Sequence, residues 1–337
     1  MSIPILICDD SAVAQKQLAR SLPTNWDVDI SYAGNGAEAI PLIKQDKADI
    51  LFLDLNMPVM DGYQLLAEIR AQDLPTLVIV VSGDVQAEAR TRVMDLGALD
   101  FICKPIDRDT LFEVLQRYGI LQELEGNAAG DNRTRLIEDN TALEVLDGYQ
   151  EVTNVAMGQA ADLLARLLNV FIELPIPQVH QIYADQLPQR ISEAIPPSKI
   201  SVVSQGFVAA RVSGEALLFV EESDLQGFSR LIGRDLENDP VKQLDLLMEI
   251  ANILIGACMA GFAEQLDLKF SMGHPAILGS SIDATQIPLR TPESDEQLLT
   301  IEILYGINDH QINCSLLLIF TGDSIAELDS RINLIMG

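Results

Sequence analysis

Hydrophobic and polar positions follow two different rhythms along this chain, and the change from one to the other divides it. Between residues 4 and 103, five short apolar runs, PILIC (4–8), VDISYA (28–33), ILFL (50–53), LVIVV (77–81) and FIC (101–103), are separated by segments of helical spacing such as AVAQKQLARSL and YQLLAEIRAQ. Strands that alternate with helices in this way predict an α/β unit, a parallel sheet covered by helices on both faces. A polar, small-residue stretch, GNAAGDNRT, then interrupts the pattern. Beyond it a helix-rich segment over 142–168 precedes strand-like runs such as ISVVSQ and EALLFVEE, and a long helix over about 240–265 precedes LTIEILYG and CSLLLIFTG. LLFVEESD and LLIFTGDS occupy corresponding places, each before a short amphipathic helix, so this part reads as two copies of one αβ unit. The expected organisation is a first domain over 1–124, a linker over 125–137 and a duplicated αβ domain over 138–337, with copies at about 138–236 and 237–337.

In an open parallel sheet, ligands gather at the carboxyl ends of the strands. The residues found there are Asp9 and Asp10 after the first run, Asp54 after the third, Ser82 after the fourth and Lys104 after the fifth. Three carboxylates at one sheet edge repel one another unless a cation sits among them, and an all-oxygen site suits Mg²⁺; one lysine cannot neutralise three acids. A hydroxyl and an ammonium complete the parts needed to hold a phosphoryl group, with a carboxylate as its acceptor. Asp54, on the central run, is the natural acceptor. Taken singly, Asp10 and Ser11 could cap the next helix and Ser82-Gly83-Asp84 could form a turn; four strand ends together favour a site.

These residues lie in ICDD, LFLDLNMPVMDG, VVSGD and FICKP, through which residues 1 to about 120 resemble the receiver domain of two-component response regulators, a flavodoxin-like (βα)5 fold. The resemblance implies that a histidine kinase phosphorylates Asp54, and that Asp9, Asp10, Asp54 and the backbone carbonyl of Asn56 hold Mg²⁺. It further implies that Ser82 and Lys104 contact the phosphoryl group, that Phe101 stands where the family has its switch aromatic, and that the Lys104-Pro105 bond is cis. From the residues alone, Phe101 reads equally well as a core aromatic.

The second part carries DGYQEVTN and DLLMEIAN at corresponding positions. On a helix, Asp147, Glu151 and Asn154 share one face, as do Asp245, Glu249 and Asn252. Gly158 and Gly256 continue the two stripes; a helix-interior glycine costs about 1 kcal/mol against alanine, and close approach of another backbone is the expected reason for it. Around the second stripe, Leu246, Leu247, Ile250, Ile253 and Leu254 read as core. Pro177 and Pro275 follow at equal distances from the two asparagines, although the sequences between differ. Ordinary solvated helix faces, kept in common by duplication alone, are the bland alternative.

An acid, a glutamate, an asparagine and a later proline make residues 138–337 similar to the CheC-type chemotaxis phosphatases. That resemblance implies a pseudo-two-fold domain, flanked by two motif helices, that removes phosphoryl groups from receivers. Glu151 and Glu249 would pair with the receiver lysine, Asn154 and Asn252 would orient the attacking water, and Asp147 and Asp245 would support the motif helices. The chemistry is undemanding: an acyl phosphate is already reactive, the receiver brings its own lysine and metal, and a positioned water suffices.

Composition narrows the partners. With 22 Lys and Arg against 50 Asp and Glu, a formal charge of −28 opposes binding to a phosphate backbone, so no nucleic-acid partner is expected. The longest apolar stretch, IANILIGACMAGFA, is interrupted by Asn252 and ends at Glu264, which predicts a buried helix and no membrane association. Cys8, Cys103, Cys258 and Cys314 show neither metal nor disulfide spacing, as fits a reducing cytoplasm, and His180, His274 and His310 show no ligand spacing. The expectation is a cytoplasmic signalling protein of the two-component or chemotaxis kind: a phosphorylatable receiver fused to a hydrolase acting on the aspartyl phosphate of a separate receiver, its own, or both. The other reading is a non-catalytic adaptor whose second domain binds a signalling partner on phosphorylation; intact Glu and Asn in both copies favour the enzyme. A linker of about a dozen residues spans at most ~40 Å. With both stripes expected to face outward, the main substrate is expected to be a separate receiver supplied in trans, the chain's own receiver serving regulation.

Overall fold

The computed structural model describes residues 2–22, 26, 28–118, 120, 141–195, 198–234, 236, 239–283, 286–288, 296–307 and 310–336. The expected linker at 125–137 lies outside the described residues. The chain forms two compact units, Met1–Glu151 and, essentially, Val152–Ile335, divided within one long helix.

The first unit alternates β1 (Ile3–Cys8), α1 (Ala12–Ser21), β2 (Val28–Ala33), α2 (Gly36–Ile43), β3 (Ile50–Leu53), α3 (Gly62–Ala71), β4 (Leu77–Ser82), α4 (Ala87–Asp95), β5 (Asp100–Cys103) and α5 (Arg108–Arg117). Its five parallel strands run in the order β2-β1-β3-β4-β5. Successive side chains of a strand point to opposite faces, so each apolar run feeds two cores. Leu6, Leu51, Leu53, Val78 and Val80 meet Ala39, Leu65, Leu66 and Val93 on one face. Ile5, Ile7, Ile50, Phe52, Ile79 and Val81 meet Leu18, Leu111, Val114 and Leu115 on the other. This double burial is why the runs read as continuously apolar. Side chains at the strand ends start the helices: Ser11 Oγ accepts the Ala14 amide at 3.0 Å, and Asp61 with Gln64 forms a capping box on α3. At Gly62 a Cβ would collide with the Asp54 carbonyl oxygen and lie 2.8 Å from Leu55 Cα, so only glycine lets α3 start beside the end of β3.

The long helix α6 (Thr141–Leu168) begins in the first unit and continues into the second. There follow β6 (Gln178–Tyr183), α7 (Leu187–Ala194), β7 (Ile200–Ala209), β8 (Val212–Glu221), α8 (Glu222–Ile232), α9 (Pro240–Gln265), β9 (Ser271–Met272), β10 (Ala276–Ile282), β11 (Gln297–Ile307), β12 (Ile312–Phe320) and α10 (Gly322–Met336). The strands build an antiparallel sheet in the order β10-β7-β8-β12-β11-β6, with β9 paired to β7. The hairpins β7-β8 and β11-β12 meet at the centre, where Leu217 lies opposite Leu317. The edge strands come from opposite halves of the sequence, so the order has the same form from either end. Pro177 and Pro275 stand immediately before these two edge strands, where a missing N–H costs no ladder bond.

α9 is long and apolar enough to cross a bilayer, but 61% of its most apolar window is buried, which makes it a core helix. Leu246, Leu247, Ile250 and Leu254 are buried as expected, while Ile253 is half-buried. The expected close approach at Gly256 is not found: a Cβ there meets nothing within 4 Å. The tight crossing lies further along α9 at Gly261, where a Cβ would sit 2.6 Å from Ala156 Cα of α6. The four cysteines are free thiols.

Candidate active site

Parallel β1, β3, β4 and β5 end side by side, so Asp9, Asp54, Ser82 and Lys104 all emerge at one edge of the sheet in the first unit. All four are buried, while Asp10 is half-buried. The Lys104 ammonium is 2.8 Å from Asp9 Oδ2 and 3.2 Å from Asp54 Oδ1. Its backbone is held too, since the Lys104 amide donates to the Ser82 carbonyl at 2.8 Å; the Lys104-Pro105 bond is cis. Asp54 Oδ2 accepts the Asn56 amide at 2.7 Å, and Ser82 Oγ accepts the Asp84 amide at 3.1 Å. Phe101 is buried among the core residues of the α3 and α4 face, the position of a packing aromatic.

Charge dominates this edge. Burial opposes the Lys104 ammonium, but Asp54, Asp9 and Glu151 outweigh it and hold its pKa well above the usual lysine range. Burial pushes the Asp54 carboxyl up, with Lys104 pulling against it and Asp9 adding to it. The Asp10 carboxyl is pushed up to about 8 by burial, then by Asp9 and Asp54. Among the described residues no three His, Cys, Asp or Glu side chains stand close enough together to hold a metal. Asp9 instead clasps Lys104 and, through Oδ1, the Ser11 amide at 2.9 Å. The donor set nevertheless fits Mg²⁺: it is all oxygen, and acids that resist ionising beside one another have the charge imbalance a divalent cation relieves.

The first motif joins this cluster. Glu151, on α6 and within the first unit, is 7% exposed and places both carboxylate oxygens 3.2 Å from Lys104 Nζ. Its carboxyl is pushed up to about 7 by burial, with Lys104 pulling the other way. Asp147, expected to support the motif helix, has its Oδ2 accepting the Val13 amide at 3.0 Å, at the amino-terminal turn of α1. An anion there meets unsatisfied N–H groups and the positive end of the helix dipole. Asn154, one turn beyond Glu151, belongs to the second unit, and its buried Oδ1 has no hydrogen-bond partner among the described residues. An orphaned buried acceptor is costly, and a water that donates to it removes that cost.

The second motif differs. Asp245 and Asn252 are exposed, and Glu249 is half-buried in an ion pair with Arg234, with Nη1–Oε2 at 2.5 Å and Nη2–Oε1 at 3.4 Å. The expectation that both stripes face outward therefore holds for the second and fails for the first, which is packed over. Sequence reasoning missed Arg234. The residue follows Gly233, the left-handed cap of α8, a helix-end signal that places it but says nothing of its reach to Glu249.

Residues 5–116 match the response regulator receiver domain family. A response regulatory protein of uncharacterised role from Shewanella oneidensis is 36% identical over 116 residues, 34% of this chain and 48% of that protein. The chain thus spans about half the length of that relative. Among solved structures, Thermotoga maritima FliY covers 59% of this chain and 100% of its own at 15% identity, TM-score 0.46. The Borrelia burgdorferi CheX-CheY-BeF3-Mg²⁺ complex covers 34% of this chain and 87% of its own at 31% identity, TM-score 0.32.

Proposed function

We propose that this chain, in which residues 5–116 are a response regulator receiver domain, is a receiver fused to a duplicated CheC-like phosphatase that hydrolyses the aspartyl phosphate formed on its own Asp54. The observation that carries this reading is the seat of Glu151 on Lys104, 3.2 Å from each carboxylate oxygen. It favours the chain's own receiver over a substrate supplied in trans, because Glu151 already meets Lys104 within the chain. The meeting of equivalent residues at the β8-β12 seam, Leu217 opposite Leu317, supports the duplication.

In the mechanism, a histidine kinase or a small phosphodonor supplies the phosphoryl group to Asp54. Mg²⁺, held by Asp9, Asp10, Asp54 and the Asn56 carbonyl, would neutralise phosphoryl charge when bound. Lys104 offers its ammonium and Ser82 its hydroxyl to the phosphoryl oxygens. Glu151 fixes Lys104, and Asp147 anchors the motif helix to the start of α1. Asn154 would orient the attacking water, the role that the resemblance to CheC-type phosphatases implies for it. The new P–O bond forms as the bond to Asp54 breaks, so the carboxylate is regenerated and inorganic phosphate leaves with the water's oxygen and both of its protons. Positioning, with no nucleophile from the protein, is sufficient for so reactive a bond.

Steady-state phosphate release from acetyl phosphate with Mg²⁺ tests this. Glu151→Ala with Asn154→Ala lowers the rate and leaves Asp54 more fully phosphorylated, whereas Asp54→Asn abolishes release. If the double variant releases phosphate at the wild-type rate, the domain is an adaptor and the phosphatase reading fails.

A further inference from the structure

Each motif glutamate already has a cation. Lys104 sits on Glu151, and Arg234 sits on Glu249 with a nitrogen toward each carboxylate oxygen. Arg234 is not a wandering surface side chain. Gly233, at φ +70, ends α8 in the left-handed conformation; the Arg234 amide then donates to the Ser229 carbonyl at 3.0 Å, and the Ser229 hydroxyl donates to the Arg234 carbonyl. The backbone of Arg234 is thus held at both its amide and its carbonyl, and its planar fork is aimed across at α9. The flanking motif residues Asp245 and Asn252 are exposed.

We infer that Arg234 is an internal stand-in for the receiver lysine: it caps the second motif, which engages the receiver of another copy of this chain only by exchanging Arg234 for that receiver's Lys104. The inference rests on the phosphatase reading above and adds a specificity-determining residue to it. An arriving lysine must displace a bidentate guanidinium, so the second motif works more slowly than its sequence implies. It also selects receivers whose phosphoryl edge presents an ammonium able to compete. Because the helix cap that places Arg234 is made by backbone groups and Ser229, changing its side chain leaves the cap in place.

The test uses full-length chains. The substrate carries Ala at Glu151, Asn154, Glu249 and Asn252 and is phosphorylated at Asp54; the catalyst carries Asp54→Asn, Glu151→Ala and Asn154→Ala. Loss of label is followed with and without Arg234→Gln in the catalyst. Arg234→Gln is expected to accelerate dephosphorylation about two- to fivefold, the range of an exposed ion pair. Arg234→Lys, which keeps the charge and loses the fork, should fall between, and adding Glu249→Ala should remove the gain. An unchanged or slower rate with Arg234→Gln overturns the inference. If that happens while Glu151→Ala with Asn154→Ala still slows loss of a chain's own phosphoryl group, only the latch is wrong; if that pair has no effect either, the phosphatase reading has failed.

Discussion

Two glycines of one helix should respond to alanine with opposite signs. In α9, Gly256 faces open space, whereas a Cβ at Gly261 would lie 2.6 Å from Ala156 Cα, 2.9 Å from Ala156 Cβ and 2.9 Å from Gln159 Oε1. Gly256→Ala changes only the backbone preference and should stabilise by about 1 kcal/mol. Gly261→Ala gains the same preference but must find room where carbon–carbon contact normally needs ~3.5–4.0 Å, about 1 Å more than exists. The obstacle is helix backbone, which yields only if α6 and α9 part, so an overpacking cost of about 1–3 kcal/mol applies and the net effect is destabilising by ~1 kcal/mol. For a unit of this size each kcal/mol moves the midpoint by about 2–4 °C. Calorimetry of the full chain, read on the transition of the second unit, should show Gly256→Ala higher and Gly261→Ala lower than wild type. Equal increases would refute the tight crossing; a decrease from Gly256→Ala would refute the open second motif face.

Two further outcomes follow from the buried acids. Asp54→Asn should prevent acid-labile labelling by acetyl phosphate with Mg²⁺ while leaving a folded chain, because Lys104 keeps Asp9 and Glu151; persistent labelling would move the acceptor elsewhere. Burial raises the Asp224 carboxyl to about 6, although the Asn313 amide pulls it down. Its folded pKa lies above the unfolded one, so the native state binds more protons and stability declines as pH rises from about 4 to about 6. Asp224→Asn removes that decline: its advantage over wild type in urea unfolding should grow across this range and stay level above it. An advantage independent of pH would contradict the assignment.

The parts of the fold most legible in the sequence were those with a simple burial pattern. ILFL and VDISYA mark β3 and β2 to the residue, and the apolar helical stretch over about 240–265 marks α9. The chemistry of the sheet edge was legible for a related reason: parallel strands leave little freedom over where their last residues go. Periodicity states which residues share a helix face but not what that face meets. Glu151 and Glu249 read alike, yet one is buried on Lys104 and the other half-open beside Arg234. Gly256 was expected to admit a close neighbour, yet the tight crossing is at Gly261, which only the packing of α6 against α9 reveals.

The account stands most directly on the rate at which phosphorylated Asp54 loses its label in the full chain. We predict a first-order decay whose rate constant is unchanged over a hundredfold range of protein concentration and falls at least tenfold when Glu151 and Asn154 are both alanine, the scale of a lost water-positioning group. A rate constant that rises in proportion to concentration, or one indifferent to the double substitution, would contradict it.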